Sequence, residues 1–446
     1  MNDRRIERPS WYHGVTSYQW LVLLVASLGW VFDVFEGQIF VASMNEAMPS
    51  LLPADQNNAG NIAYFNNIAL GAFNLGGAVG GVLFGMLSDR IGRKRTLTYT
   101  IWMYSLFTFV SAFATTWWQL AVCRFLVALG VGGEWAVASA LVAEVFPRRA
   151  RAWSQSIFHA SSVLGTFLAV AAGMFVVGNP RLSISLPWFG NAWQLTRWRL
   201  GFLLGVIPAL LIVWIRLVVR EPEMWLKTRR DSPESKASLW QLFGPQLRRR
   251  TFVGVGLAAV GLATFWGTHI YGKDVYRRAY QIETPAANAD DLKRIEMIGM
   301  FLVTLGGGVG LLSFGPLCER LSRRGAFLFF HIGGCTTSLL LFQCKWDYSA
   351  LGYFLPLFGF WTLGMHAGYA VYFPELFPTR LRSTGGGFCF NAGRILVPPV
   401  LFLSGWMQKD WGIGLSNAAS LLSLLFLAGA LLLILAPETK GRELPA

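Results

Sequence analysis

The chain has 446 residues, of which 54% are hydrophobic and only 14% charged, against about 25% charged in a soluble globular domain, which excludes an ordinary soluble fold. Its 38 Lys and Arg against 24 Asp and Glu give a formal charge of +14, yet the bases stand in short clusters between long apolar runs, the pattern of a membrane protein and not of a nucleic-acid binder. Cys123, Cys318, Cys335, Cys344 and Cys389 all fall in apolar stretches without CxxC or Cys/His spacing, which indicates neither a disulfide framework nor a metal site.

The stretch Met1 to Trp20 is polar and basic and reads as no cleaved signal peptide,. A membrane crossing needs about 20 apolar residues for roughly 30 Å of hydrocarbon. Twelve such runs follow in chain order, at about 18–43, 66–87, 97–115, 117–145, 153–178, 199–219, 251–272, 296–316, 325–343, 349–372, 384–407 and 411–436. Pro208, Pro316, Pro356, Pro398 and Pro399 lie inside them and are tolerated where neighbouring helices satisfy the backbone. Of the bases in loops, 26 fall on one side and 10 on the other. The richer side is cytosolic, which places both termini and the 220–250 linker there. The basic outer loop 273–295 argues the other way, partly offset by Asp274, Glu283, Asp290 and Asp291.

Two segments recur. Gly85-Met-Leu-Ser-Asp89-Arg90-Ile-Gly92-Arg93-Lys94 returns 230 residues later as Gly315-Pro-Leu-Cys-Glu319-Arg320-Leu-Ser-Arg323-Arg324. Glu144-Val-Phe-Pro147-Arg-Arg149-Ala-Arg151 returns after 231 as Glu375-Leu-Phe-Pro378-Thr-Arg380-Leu-Arg382. Two six-span halves that both start and end in the cytosol are related by an axis along the membrane normal, the plan of an alternating-access carrier with its site near mid-membrane. The boundaries read as a first bundle 1–219, a linker 220–250 and a second bundle 251–446.

These loop motifs, the Arg124-Phe-Leu-Val-Ala-Leu-Gly130-Val-Gly132-Gly133-Glu134 stretch and the closing Pro437-Glu-Thr-Lys-Gly441-Arg resemble the major facilitator superfamily over essentially the whole chain. The resemblance implies an all-α membrane protein of twelve transmembrane helices in two pseudo-symmetric six-helix bundles. Asp33-Val-Phe-Glu36, Gly-Gly-Glu-Trp135, Pro-Glu-Leu-Phe-Pro-Thr-Arg380 and Asn391-Ala-Gly-Arg394 are most similar to the proton-coupled metabolite symporters, carriers of sialate, aromatic acids and related carboxylates. Arg220-Glu-Pro-Glu-Met-Trp225 and the Pro437 segment are shared with sugar porters, but the paired Gln element of a sugar porter's seventh span is absent.

An ionisable group at membrane depth costs about 2.5–3.5 kcal/mol or more, so each one marks a candidate. Asp33 stands roughly 22 Å in from the cytosolic end of its span and Arg124 roughly 10 Å from the outer surface at 1.5 Å per residue, which puts them at similar depth. Asp33 and Glu36 share a helix face, and suit a carboxyl pair that exchanges protons, with Asp33 the main carrier. The competing reading pairs an ionised Asp33 with Arg124. Arg394 stands about ten residues into the eleventh span, roughly 15 Å deep, and its repeat counterpart is Val163. A planar fork of donors there suits a substrate carboxylate, and equally a protein acid or a backbone carbonyl. Asn391 shares its face and offers a further donor or an interhelical hydrogen bond. Glu134 lies toward the cytosolic end of the fourth span, as a gate or an inward proton relay.

Of the span histidines His159, His269, His331 and His366, His269 with Trp266 suits an outer substrate gate, against the reading of a satisfied buried histidine. Tyr369, Trp361 and Trp135 are candidate aromatic walls or packing. Asp89, Arg90 and Arg93 can cap a helix of the other half and lock one state. Glu144 with Arg149 and Glu375 with Arg380 offer matching ion pairs at the same edge, and Glu319 and Arg323 of the repeated motif are further switching candidates. Gly267 to Lys273 lacks the Ser/Thr and the strand of a phosphate loop,, and no cofactor or metal is called for. The expected function is symport of a small organic anion with protons by a monomer in the lipid bilayer of a bacterial inner or plasma membrane, with no nucleic-acid partner and no enzyme activity. A sugar or polyol porter is the alternative.

Overall fold

The computed structural model describes residues 10–177, 184–185, 194–207, 209–231, 238–395, 397, 399–400, 403, 407 and 413–445. Pro208, Pro398, Arg4, Arg5, Arg8, Arg181 and Lys409 lie outside them. Helix α1 (Ser17–Leu51) begins at a capping box, where the Thr16 hydroxyl accepts from the Gln19 amide and the Gln19 carboxamide oxygen accepts from the Thr16 N–H at 2.9 Å,. There follow α2 (Ala59–Ile91), α3 (Arg93–Ser111), α4 (Trp117–Val145), α5 (Arg148–Ala160), α6 (Ser162–Ala172), α7 (Arg197–Leu204), α8 (Ala209–Val218) and the short α9 (Glu223–Asp231). The second set is α10 (Arg248–Gly267), α11 (Gly272–Glu283), α12 (Ala289–Leu321), α13 (Arg323–Gln343), α14 (Tyr348–Leu363), α15 (Ala367–Leu376), α16 (Arg382–Ile395), α17 (Leu415–Ser423) and α18 (Leu425–Leu432). A two-residue pairing of Ile184–Ser185 with Gln194–Leu195 also forms.

Eight segments among the described residues are long and apolar enough to cross a membrane, and eight of the twelve expected runs fall on them. The other four are helical but broken or polar. Runs 199–219 and 349–372 are interrupted, the latter by the 3-10 turn Gly364–His366, and run 384–407 begins in α16. In α3 the hydroxyls of Thr96 and Thr98 bond back to Gly92 and Lys94 carbonyls at 2.8 and 3.0 Å, which lets polar side chains sit in a span.

The repeat holds at the level of single hydrogen bonds. Helices α2 and α12 each run 33 residues from an Asn cap, Asn58 and Asn288. Each ends at a residue with positive φ, Gly92 at 109° and Ser322 at 91°. Glycine tolerates that backbone freely whereas serine does not, so the second copy holds strain that the first avoids. Between the halves, α2 packs on α16 and α5 on α12, the same contact generated twice.

The α2–α16 seam is built by small residues. Side chains on Gly77, Gly81 and Gly85 would run into Arg394, Asn391 and the Ser383 backbone respectively. A glycine every fourth residue lets the two helices approach closely where apolar burial supplies no drive.

Candidate functional site

At the end of the molecule carrying the basic loops, one acid latches the halves. The Asp89 carboxylate accepts from the Thr384 amide at 2.8 Å, the Thr384 hydroxyl at 2.7 Å and the Ser383 amide at 3.3 Å, and so caps α16 of the other half,. Arg93 donates to Asp89 at 2.9 Å and Glu144 at 2.7 Å, and Arg382 reaches Glu144 from the second half at 2.7 Å. Burial alone would pull the Arg93 guanidinium down, but Glu144 and Asp89 outweigh it and hold it above its ordinary value. The second copy reads Arg323 to Glu319 at 2.9 Å and Arg323 to Glu375 at 2.8 Å.

The expected loop pairs are therefore corrected: Glu144 takes Arg93 and Arg382, and Glu375 takes Arg323. Arg149 donates to the His13 carbonyl, while Arg380 and Arg90 are exposed, and the Arg90 carbonyl accepts from Arg229 at 2.6 Å. Chain order favoured partners within one loop motif. The fold instead sets each acid's helix end against the start of an earlier helix, α3 for Glu144 and α13 for Glu375.

Deeper in, the buried Asp33, Glu134 and Tyr104 cluster beside the half-buried Arg394. Asp33 is 2% and Glu134 1% exposed, and a side chain on Gly29 of α1 would run into the Glu134 carboxyl. The charged groups whose fields reach Asp33 are Glu134, Arg394 and Glu36. No well-formed hydrogen bond reaches the Asp33 or Glu134 oxygens or the Tyr104 hydroxyl among the described residues. Arg394 crosses from α16 to lie against Gly77 of α2, its guanidinium 5.5 Å from the Phe390 ring centroid. Asn391 donates to the Gly387 carbonyl at 2.9 Å and to that of Gly132 at 3.4 Å. Trp135 stacks on Phe390 at 4.2 Å below this cluster and donates to His159 Nδ1 at 3.2 Å.

Arg124 stands apart from that cluster. It is fully buried, donates to the Ser111 hydroxyl at 2.6 Å and lies 4.6 Å from the Phe202 ring centroid. The acid acting on it is Glu36, which accepts from Thr108 at 2.7 Å. The matching depths thus resolve into two neighbourhoods, with Arg124 in the field of Glu36 and Asp33 in that of Glu134 and Arg394, and no ion pair closes in either among the described residues. His269 Nδ1 meets the Thr362 hydroxyl at 2.6 Å between Phe265 and Phe358, and Trp266 packs edge-on against Phe265. Tyr369 is fully buried and donates to the Leu257 carbonyl at 3.0 Å.

Residues 34–398 match the profile of the Major Facilitator Superfamily. The chain belongs to this superfamily. It is 28% identical over 444 residues to a probable 4-methylmuconolactone transporter of Cupriavidus pinatubonensis, covering 97% of this chain and 94% of that one. It is 28% identical to a sialic acid transporter of Escherichia coli K12 over 91% and 92% of the two chains. It is 26% identical to a niacin transporter of Acinetobacter baylyi over 96% of each. Among solved structures, the proton:xylose symporter of E. coli superposes with a TM-score of 0.73 at 18% identity, covering 96% of this chain and 98% of that one. The E. coli fucose:proton symporter gives 0.69 at 14%, covering 94% and 99%. The chain is thus a multi-pass membrane transporter of small metabolites, not an enzyme.

Within this superfamily member, several residues at these sites escaped sequence reasoning. Thr100, Tyr104, Thr108 and Ser111 form a buried hydroxyl stripe on α3, and their spacing of three and four was the available signal. Glu221 accepts from the Arg93 amide at 2.7 Å and Glu438 from the Arg323 amide at 3.1 Å. The linker and the tail therefore cap equivalent helices.

Proposed function

We propose that the protein couples proton movement to symport of a small organic anion, a carboxylate, by alternating access between halves 1–219 and 251–446 joined by linker 220–250. The observation that carries the reading is the approach of the half-buried Arg394 of one half to the buried Asp33 and Glu134 of the other. Two adjacent buried carboxyls favour sharing a proton, and a guanidinium fork is matched to a carboxylate. A proton on Asp33 cancels its hold on Arg394, the substrate carboxylate docks there in its place, and the halves rock with the site's charge balanced. The Asp89 cap and the Glu144–Arg382 bridge are broken when the basic-loop end opens. That end faces the cytosol by its excess of Lys and Arg, and the transporter works as a monomer in a bacterial inner membrane.

The printed substrates of the relatives, muconate-type lactone, sialic acid and niacin, are acids, which supports the same class. Asp33→Asn is expected to abolish uptake driven by a pH gradient in proteoliposomes while leaving counterflow exchange of the anion measurable. Gradient-driven uptake at the wild-type rate would remove Asp33 from the mechanism. A sugar or polyol cargo is the competing reading, favoured by the Arg220 and Pro437 segments. Both segments cap helix ends away from the central cluster, so they bear on switching. Competition by neutral hexoses but not by carboxylates would favour the sugar.

A further inference from the structure

A basic chamber in the second half lies away from the central cluster, beside the Pro437 segment. At the basic-loop end, a cavity of about 400 Å³ is lined by Arg249, Arg250, Arg324, Arg442 and Glu438. Four guanidinium groups thus face one carboxylate. That carboxylate is already engaged, since Glu438 accepts from the amides of Arg323 and Arg324 at 3.1 Å each and of Lys440 at 2.8 Å. Arg249 is anchored by its Nε on the Leu435 carbonyl at 2.9 Å, and Arg250 on the Leu376 carbonyl at 2.9 Å, which fixes the start of α10 beside the end of α18.

The chamber continues along the flank of the second half. It shares Arg324, Ile434 and Glu438 with a second cavity of about 540 Å³ that runs between α13 and α18 past Leu328, Ala430 and Leu433. Ile434 is 67% and Leu328 42% exposed on this flank, which in a membrane protein is surface that faces acyl chains. A cationic chamber at the head of an apolar groove has the shape and charge of an amphiphile with an anionic head.

We propose that this joined cavity binds an anionic glycerophospholipid from the leaflet at the basic-loop end, with its phosphodiester among Arg249, Arg250, Arg324 and Arg442 and an acyl chain along Leu328, Leu433 and Ile434. Basic pockets between transmembrane helices on the cytoplasmic side are the known setting for such heads. A free phosphate would use the chamber and leave the groove empty. The bound lipid ties α10, α13 and the C-terminal tail together, and so braces the helix start that Glu438 caps. The site does not depend on which substrate is carried.

The test is thermal unfolding of the purified full chain in detergent, supplemented with phosphatidylglycerol, phosphatidylcholine at the same mole fraction, or inorganic phosphate. Binding to the folded state is expected to raise the midpoint by about 3–5 °C with phosphatidylglycerol and by less than about 1 °C in the other two arms. Arg324→Gln with Arg442→Gln is expected to raise the half-saturating lipid concentration about tenfold or more, and Arg442→Gln alone by a smaller factor. Lys227→Gln, an exposed base away from the cavity, is expected to respond as the wild type. An unliganded midpoint within a few degrees of wild type shows that the variants fold. Equal midpoint rises with both lipids, a full response from the double variant, or reproduction of the rise by inorganic phosphate would each overturn the proposal.

Discussion

Arg124 is fully buried and Arg394 half-buried, and their surroundings separate their tasks. Arg394 lies at the seam of the halves in the field of Asp33, where a movement of either half changes its partner. Arg124 is enclosed within the first half by Phe202, Phe40 and Ser111. Replacing Arg394 by Lys keeps the charge but loses the planar fork, so KM for the anion is expected to rise about tenfold or more with its pH dependence retained. An unchanged KM in transport assays would dissociate Arg394 from the carboxylate. Arg124→Leu removes the cation whose field acts on the buried Glu36 and is expected to lower the melting temperature. Glu36→Leu in the same chain should recover a large part of that loss, a coupling that a double-mutant cycle on melting data reads directly.

At the scale of elements, helix starts rather than helix faces hold this end of the molecule together. Asp89 caps α16, Glu221 caps α3 and Glu438 caps α13, each from a different part of the chain. For Glu438, burial alone would raise the carboxyl, but the amides of Lys440, Arg324 and Arg323 outweigh it and hold it below its ordinary value. A depressed carboxyl stabilises the fold fully above the unfolded-state value near 4.5 and loses that contribution as the pH falls through the lower, folded-state one,. The melting temperature of the wild type is therefore expected to fall on acidification below about pH 4.5 more steeply than that of Glu438→Gln. Parallel curves for the two proteins would show that the cap carries no charge-dependent stability.

For the whole molecule, the bridges that cross the seam are concentrated at the basic-loop end, and they set which state is populated. Glu144 accepts from Arg93 of its own half and Arg382 of the other, all three side chains being fully enclosed. Glu144→Gln weakens both contacts and leaves two buried cations short of charge. Even about 1.4 kcal/mol of differential loss changes the ratio of the two states tenfold. Spin labels at the exposed positions 95 and 380, in a Cys344→Ser background that removes the exposed cysteine, are expected to show a longer-distance population in the variant. An unaltered distance distribution would assign Glu144 to fold maintenance alone.

Span positions, the repeat and the candidate acids and bases were legible in sequence, because each follows from a local rule. Hydrocarbon excludes charge, so apolar runs and rare ionisable residues stand out, and duplication leaves a register that survives as Asn58 and Asn288 or Arg93 and Arg323. A carboxylate among the bases of the Asp89 motif also suggested a cap on a helix of the other half, although Asp89 lies in the last turn of α2 and not in a loop. What could not be read was pairing. Depth along a helix is counted from sequence at 1.5 Å per residue, but the direction a side chain faces depends on how neighbouring helices rotate and how closely their glycines let them approach. Tertiary packing alone decided that Asp33 lies in the field of Glu134 and Arg394 while Arg124 lies in that of Glu36, since electrostatic choice among buried groups falls off over a few ångströms and those ångströms are set by contacts hundreds of residues apart.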